Sequence, residues 1–160
     1  MDRTLFTDDW NEFIQLANSH RLKYLVVGGV ALILHGHARS TQDIDIWIEN
    51  KQANIVRLKR VLADFGFETL ATSLPKRLSP REVLFLGRPP YRLDILSGVS
   101  GISFAQTFRS KRIVEINGMQ IPLANASQLL KNKRASGRDK DHQDIHFLEQ
   151  LLRRHRSRKN

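Results

Sequence analysis

Asp43-Ile-Asp-Ile-Trp-Ile48 constrains the fold of this 160-residue chain more than any other segment. Polar and apolar residues alternate there with the period of a β-strand that buries one face. Ile44, Ile46 and Ile48 therefore point to a core, and Asp43 and Asp45 project together from the opposite face. On a strand their Cα atoms stand roughly 6.5–7 Å apart. Two carboxylates at that spacing repel unless a cation lies near them, and a hard divalent ion such as Mg²⁺ takes such oxygen ligands. Alone, an Asp-x-Asp is more often a solvated strand edge, so its neighbours decide the reading.

Upstream, Tyr24-Leu-Val-Val27 reads as a short buried strand, broken by Gly28-Gly29 and followed by a helix over Val30–His35 that stops at Gly36. A glycine pair at a strand-to-helix junction allows close backbone approach to a ligand, and helix amides behind it suit a phosphate. Neither a three-glycine dinucleotide fingerprint nor a Gly-Lys-Ser/Thr loop is present. Downstream, Asp94 in Arg92-Leu-Asp-Ile-Leu96 offers a third carboxylate from a later strand. Three carboxylates can hold two ions about 3.5–4 Å apart. The plainer alternative pairs Asp94 with Arg92 as a structural ion pair.

The remaining periodicities predict an α/β (α+β) domain: a mixed sheet of about four or five strands, with helices mainly on one face. Thr7 or Asp9 caps a helix running to about His20, with Trp10, Phe13, Ile14 and Ala17 on its apolar stripe. Residues 50–65 form an amphipathic helix with Ile55, Leu58, Val61, Leu62 and Phe65 inward. Residues 83–87 and 91–96 read as strands joined through Pro89-Pro90, and residues 113–116 and 119–123 as a hairpin over Asn117-Gly118. Ser127 opens a helix to about Ser136, and a last helix starts near Asp139. No linker divides the chain, which is expected to be one domain over 1–160 with a frayed basic tail over 153–160.

The absence of cysteine excludes disulfide scaffolds, thiolate zinc sites and thiol nucleophiles. The longest apolar stretch, Tyr24–Leu34, is far short of the roughly 20 residues of a membrane span. Asp2, Asp8 and Asp9 fit no secretory signal, so no membrane association and a cytoplasmic location are expected. The formal charge of +10 is unevenly spread: residues 1–75 carry net −1 and residues 76–160 net +11. Such asymmetry favours a polyanionic partner, nucleic acid or polyphosphate, without choosing between them.

In order and spacing, Gly28-Gly29, Asp43, Asp45 and Asp94 resemble the minimal nucleotidyltransferases of the DNA polymerase β superfamily. Their hallmark is Gly-Gly or Gly-Ser, a short helix, Asp-x-Asp, and a third acidic residue on a later strand. The basic stretch Lys131-Asn-Lys133-Arg-Ala-Ser-Gly-Arg138-Asp-Lys140-Asp141-x-x-Asp144 is similar to the C-terminal signature of the AbiEii-type branch, found in abortive-infection and toxin–antitoxin systems. The resemblance implies transfer of a nucleoside monophosphate from an NTP to a hydroxyl on RNA, such as tRNA, or on protein, with a cognate toxin or antitoxin as a further partner. It implies two Mg²⁺ or Mn²⁺ ions on Asp43, Asp45 and Asp94 as the catalytic and metal-binding set. Gly28, Gly29, Arg39, Thr41, Lys133, Arg138 and Lys140 are implied in nucleotide or acceptor contact, and Asp141 and Asp144 in orienting the lysines.

Two other classes fit the same residues. One is a noncatalytic NTP- or partner-binding module of the same fold; the other is an RNA-binding protein acting through its basic half. The Lys131–Lys140 cluster also reads as a cation-rich helix end suited to the macrodipole. His142 and His146, four apart on a helix, lack a third zinc ligand and read as surface histidines. His35 and His37 read as structural.

Overall fold

The computed structural model describes residues 5–160; Met1–Thr4, and with them Asp2, lie outside the described residues. Thr7 caps the first helix, α1 (Asp8–Ser19), by accepting from the Trp10 amide at 3.2 Å, and the helix buries the expected stripe of Trp10, Phe13, Ile14 and Ala17. The chain continues through β1 (Tyr24–Val27), α2 (Gly28–Leu34) and β2 (Asp43–Ile48) to α3 (Gln52–Asp64). Helix α3 buries Ile55, Leu58, Val61 and Leu62, and Phe65 just beyond it meets Phe13 edge-on at 5.5 Å.

The central sheet has six strands, not four or five, because both later hairpins join it. Strands β3 (Val83–Leu86) and β4 (Arg92–Leu96) attach to one side, and β5 (Arg112–Ile116) and β6 (Met119–Leu123) to the other, in the order β3-β4-β2-β1-β6-β5. The sheet is mixed: β2 runs parallel to β4 and antiparallel to β1, while β6 runs parallel to β1. Asn117 and Gly118 both have positive φ, as the two-residue turn between β5 and β6 requires.

Two short helices lie where no periodicity predicts them, α4 (Glu68–Ser73) and α5 (Phe104–Arg109). Each has six residues, less than the two turns needed to display a stripe. Helix α5 nonetheless bears on the sheet, because its Phe104 meets Trp47 edge-on at 5.2 Å and closes the aspartate-bearing face of β2 beyond Asp45. Asn125, rather than a serine, caps α6 (Ala126–Ser136), which ends at left-handed Gly137. A single 3₁₀ turn over Asp139–Asp141 precedes α7 (His142–Ser157), so most of the basic C-terminal stretch is helical rather than frayed. Among the described residues, no helix is long and apolar enough to cross a membrane.

One buried polar residue that periodicity hides in a helical stripe ties α3 to the sheet. Asn54, 1% exposed, accepts from the Lys23 amide at 2.9 Å and donates to the Lys23 and Glu49 carbonyls at 2.9 Å each. Asn54→Ala removes three hydrogen bonds to part-buried backbone groups, each worth about 1 kcal/mol; of those groups the Lys23 carbonyl keeps the Glu49 amide at 3.2 Å. It should lower unfolding stability by about 2–4 kcal/mol, read as a lower urea midpoint at unchanged m-value.

Candidate active site

The parallel pairing of β2 with β4 sets Asp45 directly opposite Asp94 and Asp43 opposite Arg92. Period two then places Asp43, Asp45, Arg92 and Asp94 on one face, while Ile44, Ile46 and Ile95 on the reverse are fully buried. One carboxylate oxygen from each of Asp43, Asp45 and Asp94 lies within 4.8 Å of the others. Three hard oxygen donors at that spacing fit a divalent cation.

The electrostatics of the cluster follow from this crowding. Burial first, then the Asp43 and Asp94 charges, push the Asp45 carboxyl up to about 7. Burial also raises Asp94, against the opposing pull of Arg92. Arg92 is the residue whose place in the site sequence reasoning undervalued. Its Nε and Nη2 donate to the two Asp94 oxygens at 2.7 and 3.0 Å, and Nη2 also reaches Asp43 at 3.2 Å. The signal was present, because residues 92 and 94 share a strand face.

The glycine pair packs against the same carboxylates. Gly28 has φ +68°, and a Cβ there would overlap Asp45 Oδ2; one on Gly29 would come to 3.0 Å from Thr41 Oγ1. Gly28 therefore needs glycine, while Gly29 lies in tight contact with Thr41, and α2 begins at the pair itself rather than at Val30. Thr41 Oγ1 donates to the Asp43 carbonyl at 3.0 Å, fixing the start of β2.

The basic stretch divides. Lys133, 6% exposed, points inward and bonds Asp141 at 3.1 Å, with Asp144 at 3.4 Å. Asp144 also accepts from Arg39 at 2.7 Å and pairs with His37 Nε2 at 3.1 Å, and Asp141 takes Arg138 at 3.3 Å and Ser136 at 3.0 Å. Burial raises the Asp141 carboxyl, but the Lys133 hydrogen bond and charge outweigh it and hold it below its ordinary value. Lys140 is exposed at the rim, whereas Lys131 is exposed outside the cleft lining and Arg134 turns away to Glu149 at 3.3 Å. His35 bonds the Ala124 carbonyl at 2.9 Å, and His37 stacks on Phe147 at 4.4 Å, both structural contacts. His142 and His146 are exposed.

Gly28, Gly29, Arg39, Thr41, the three aspartates, Arg92, Lys133, Arg138 and Lys140 thus border one cleft of about 720 Å³. Its five cationic side chains face five carboxylates, so its own charge is balanced.

Comparison with known proteins places the chain in a family and relates its fold to solved structures. The family of nucleotidyltransferases of unknown function (DUF6036) matches residues 7–154. No curated protein matches the chain. Among solved structures, the Thermotoga maritima protein TM1012, assigned as a nucleotidyltransferase, superposes with TM-score 0.50 at 14% identity, covering 90% of each chain. An antigenic nucleotidyltransferase-like protein from Paracoccidioides brasiliensis does so with TM-score 0.52 at 19% identity, covering 87% of this chain and 71% of its own. At such identities the likeness is one of fold.

A proton held on Asp45 makes stability depend on pH. Its folded value lies above the unfolded one, so this contribution is complete below about pH 4 and is lost as pH rises towards 7. In chelator at pH 8, Asp45→Asn should melt several degrees above wild type, with the gap closing towards pH 5. The depressed His35 value acts in the opposite sense, its contribution being lost as pH falls below the ordinary histidine range, but is common to both proteins and cancels. Added Mg²⁺ should raise the wild-type melting temperature more at pH 8 than at pH 6 and leave the variant almost unmoved, as differential scanning fluorimetry would record.

Proposed function

This chain belongs to the nucleotidyltransferases of unknown function (DUF6036), and we propose that it moves a nucleoside monophosphate from an NTP to an acceptor hydroxyl. The observation that carries the reading is the convergence of Asp43, Asp45 and Asp94 within 4.8 Å beside the glycine junction. A divalent cation, Mg²⁺ or Mn²⁺, would be held by those three residues. When bound it supplies charge neutralisation for the triphosphate and a lowered pKa for the acceptor hydroxyl.

The chain's own residues do the rest by position and charge. Gly28 and Gly29 present backbone without side chains along the triphosphate path. Arg138 and Lys140 at the rim attract its phosphates, and buried Lys133 offsets the negative potential of Asp45. The acceptor oxygen bonds to the α-phosphorus as the bond to pyrophosphate breaks, and Asp94 takes the hydroxyl proton. Arg92 must release Asp43 and Asp94 for this. The likeness of the Lys131–Asp144 stretch to the AbiEii-type branch supports an RNA (tRNA) or protein acceptor in a toxin–antitoxin or phage-defence setting, with a cognate partner.

Incubation with each α-labelled NTP, Mg²⁺ or Mn²⁺, and total tRNA or lysate should label an acceptor. Asp43→Ala and Asp45→Ala should each reduce labelling about 100-fold or more, since each removes charge stabilisation from the reacting centre. Variants that label as well as wild type would sink the proposal.

One observation favours a second reading. The guanidinium of Arg92 already bridges Asp94 and Asp43, the place a cation would take, as expected of a noncatalytic NTP-binding module. Calorimetry separates the two: this reading expects NTP binding without turnover on any acceptor, and a gain of Mg²⁺ affinity in Arg92→Ala.

A further inference from the structure

The order of strands gives the site a direction. β1, which leads into Gly28-Gly29, flanks the aspartate-bearing strands β2 and β4 on one side; the edge strand β3 flanks them on the other. In an in-line displacement the attacking and leaving oxygens stand on opposite sides of the phosphorus. With pyrophosphate leaving on the glycine side, an acceptor arrives over β4 and β3.

Phe85 stands on that approach. It pairs directly with Asp94 across β3 and β4, so the two side chains leave the same face of the sheet. At 60% exposure it is the most exposed large apolar side chain among the described residues, although the core lies within reach of its strand neighbour Leu86. The Arg92 guanidinium lies 4.6 Å from its ring centroid, covering one side and linking the ring to the aspartates. The rest of the ring faces solvent.

The charge around Phe85 says what kind of molecule belongs there. Inside the cleft, cations and carboxylates balance. Arg81 and Arg88, two residues beyond either end of β3, are exposed. Among the described residues, neither forms an ion pair with a carboxylate. A flat aromatic surface bracketed by unpaired cations suits a ligand that alternates planar bases with phosphates. The same cations oppose pairing of β3 with a second copy of this chain.

We propose that Phe85 is a stacking platform for an unpaired base of a single-stranded nucleic-acid acceptor, with Arg81 and Arg88 on its phosphates. The proposal rests on the nucleotidyl-transfer reading for the direction of approach, and it narrows the acceptor to nucleic acid.

The test is fluorescence anisotropy with a labelled 12-nucleotide single-stranded RNA and the same strand annealed to its complement. Wild type should prefer the single strand. Phe85→Ala should weaken single-strand binding about 10-fold, within the range known for one stacked base, and Phe85→Trp should restore it. Arg81→Glu with Arg88→Glu should weaken binding and flatten its salt dependence. Mg²⁺–ATP binding by calorimetry should be unchanged in Phe85→Ala, showing an intact cleft. Equal RNA affinity in wild type and Phe85→Ala overturns the proposal. So does a dimer dissolved by Phe85→Ala with RNA binding unmoved, or labelling of a protein acceptor that is indifferent to Phe85. If Phe85 governs RNA binding while no acceptor is ever labelled, the transfer reading fails and the platform stands.

Discussion

Three carboxylates within 4.8 Å on a half-buried sheet face repel one another, and much of the surrounding structure answers that repulsion. Arg92 bridges two of them, Lys133 projects its charge towards the third, and Asp45 retains a proton into neutral pH. None of these would hold the cluster together without the reverse face of the sheet. Ile44, Ile46, Ile48 and Ile95 are wholly buried there, and the hydrophobic gain of burying such side chains, about 1.5–3 kcal/mol each, maintains the β2–β4 register. A slip of one residue would put aspartates in the core.

The second half of the chain contributes more scaffold than its net charge of +11 suggests. Lys133, Arg39 and Arg138 are all engaged by Asp141 or Asp144. Through Asp144 this network joins α6 and α7 to the loop before β2 that also holds His37 and Thr41. Removing one partner of such a buried pair would leave an uncompensated charge, which costs more than the pair itself contributes. The cleft is therefore a balanced, ordered site, and Arg81 and Arg88, which have no carboxylate partner among the described residues, flank the edge strand β3, where an incoming polyanion would meet them.

The fold is shared with solved structures at only 14% and 19% identity. Alternation, turn glycines and a few charged positions suffice to specify the sheet, and the apolar residues filling it exchange freely when volume and pattern are kept.

Strands β1 and β2, helices α1 and α3 and the Asn117-Gly118 hairpin were all legible in the sequence, because each rests on local periodicity or on a turn residue. Helices α4 and α5 were not, being too short to show a period. Nor was Asn54, whose three hydrogen bonds depend on where β1 and β2 happen to lie. For the site, the alternation of residues 43–48 alone determined that Asp43 and Asp45 share a face. Only the parallel pairing of β2 with β4 decided that Asp94 joins them and that Arg92 comes with it, and only the antiparallel pairing of β3 with β4 that Phe85 stands one strand further out. Pairing partners and register are long-range choices, settled by the burial of a whole sheet face, and no window of local sequence contains them.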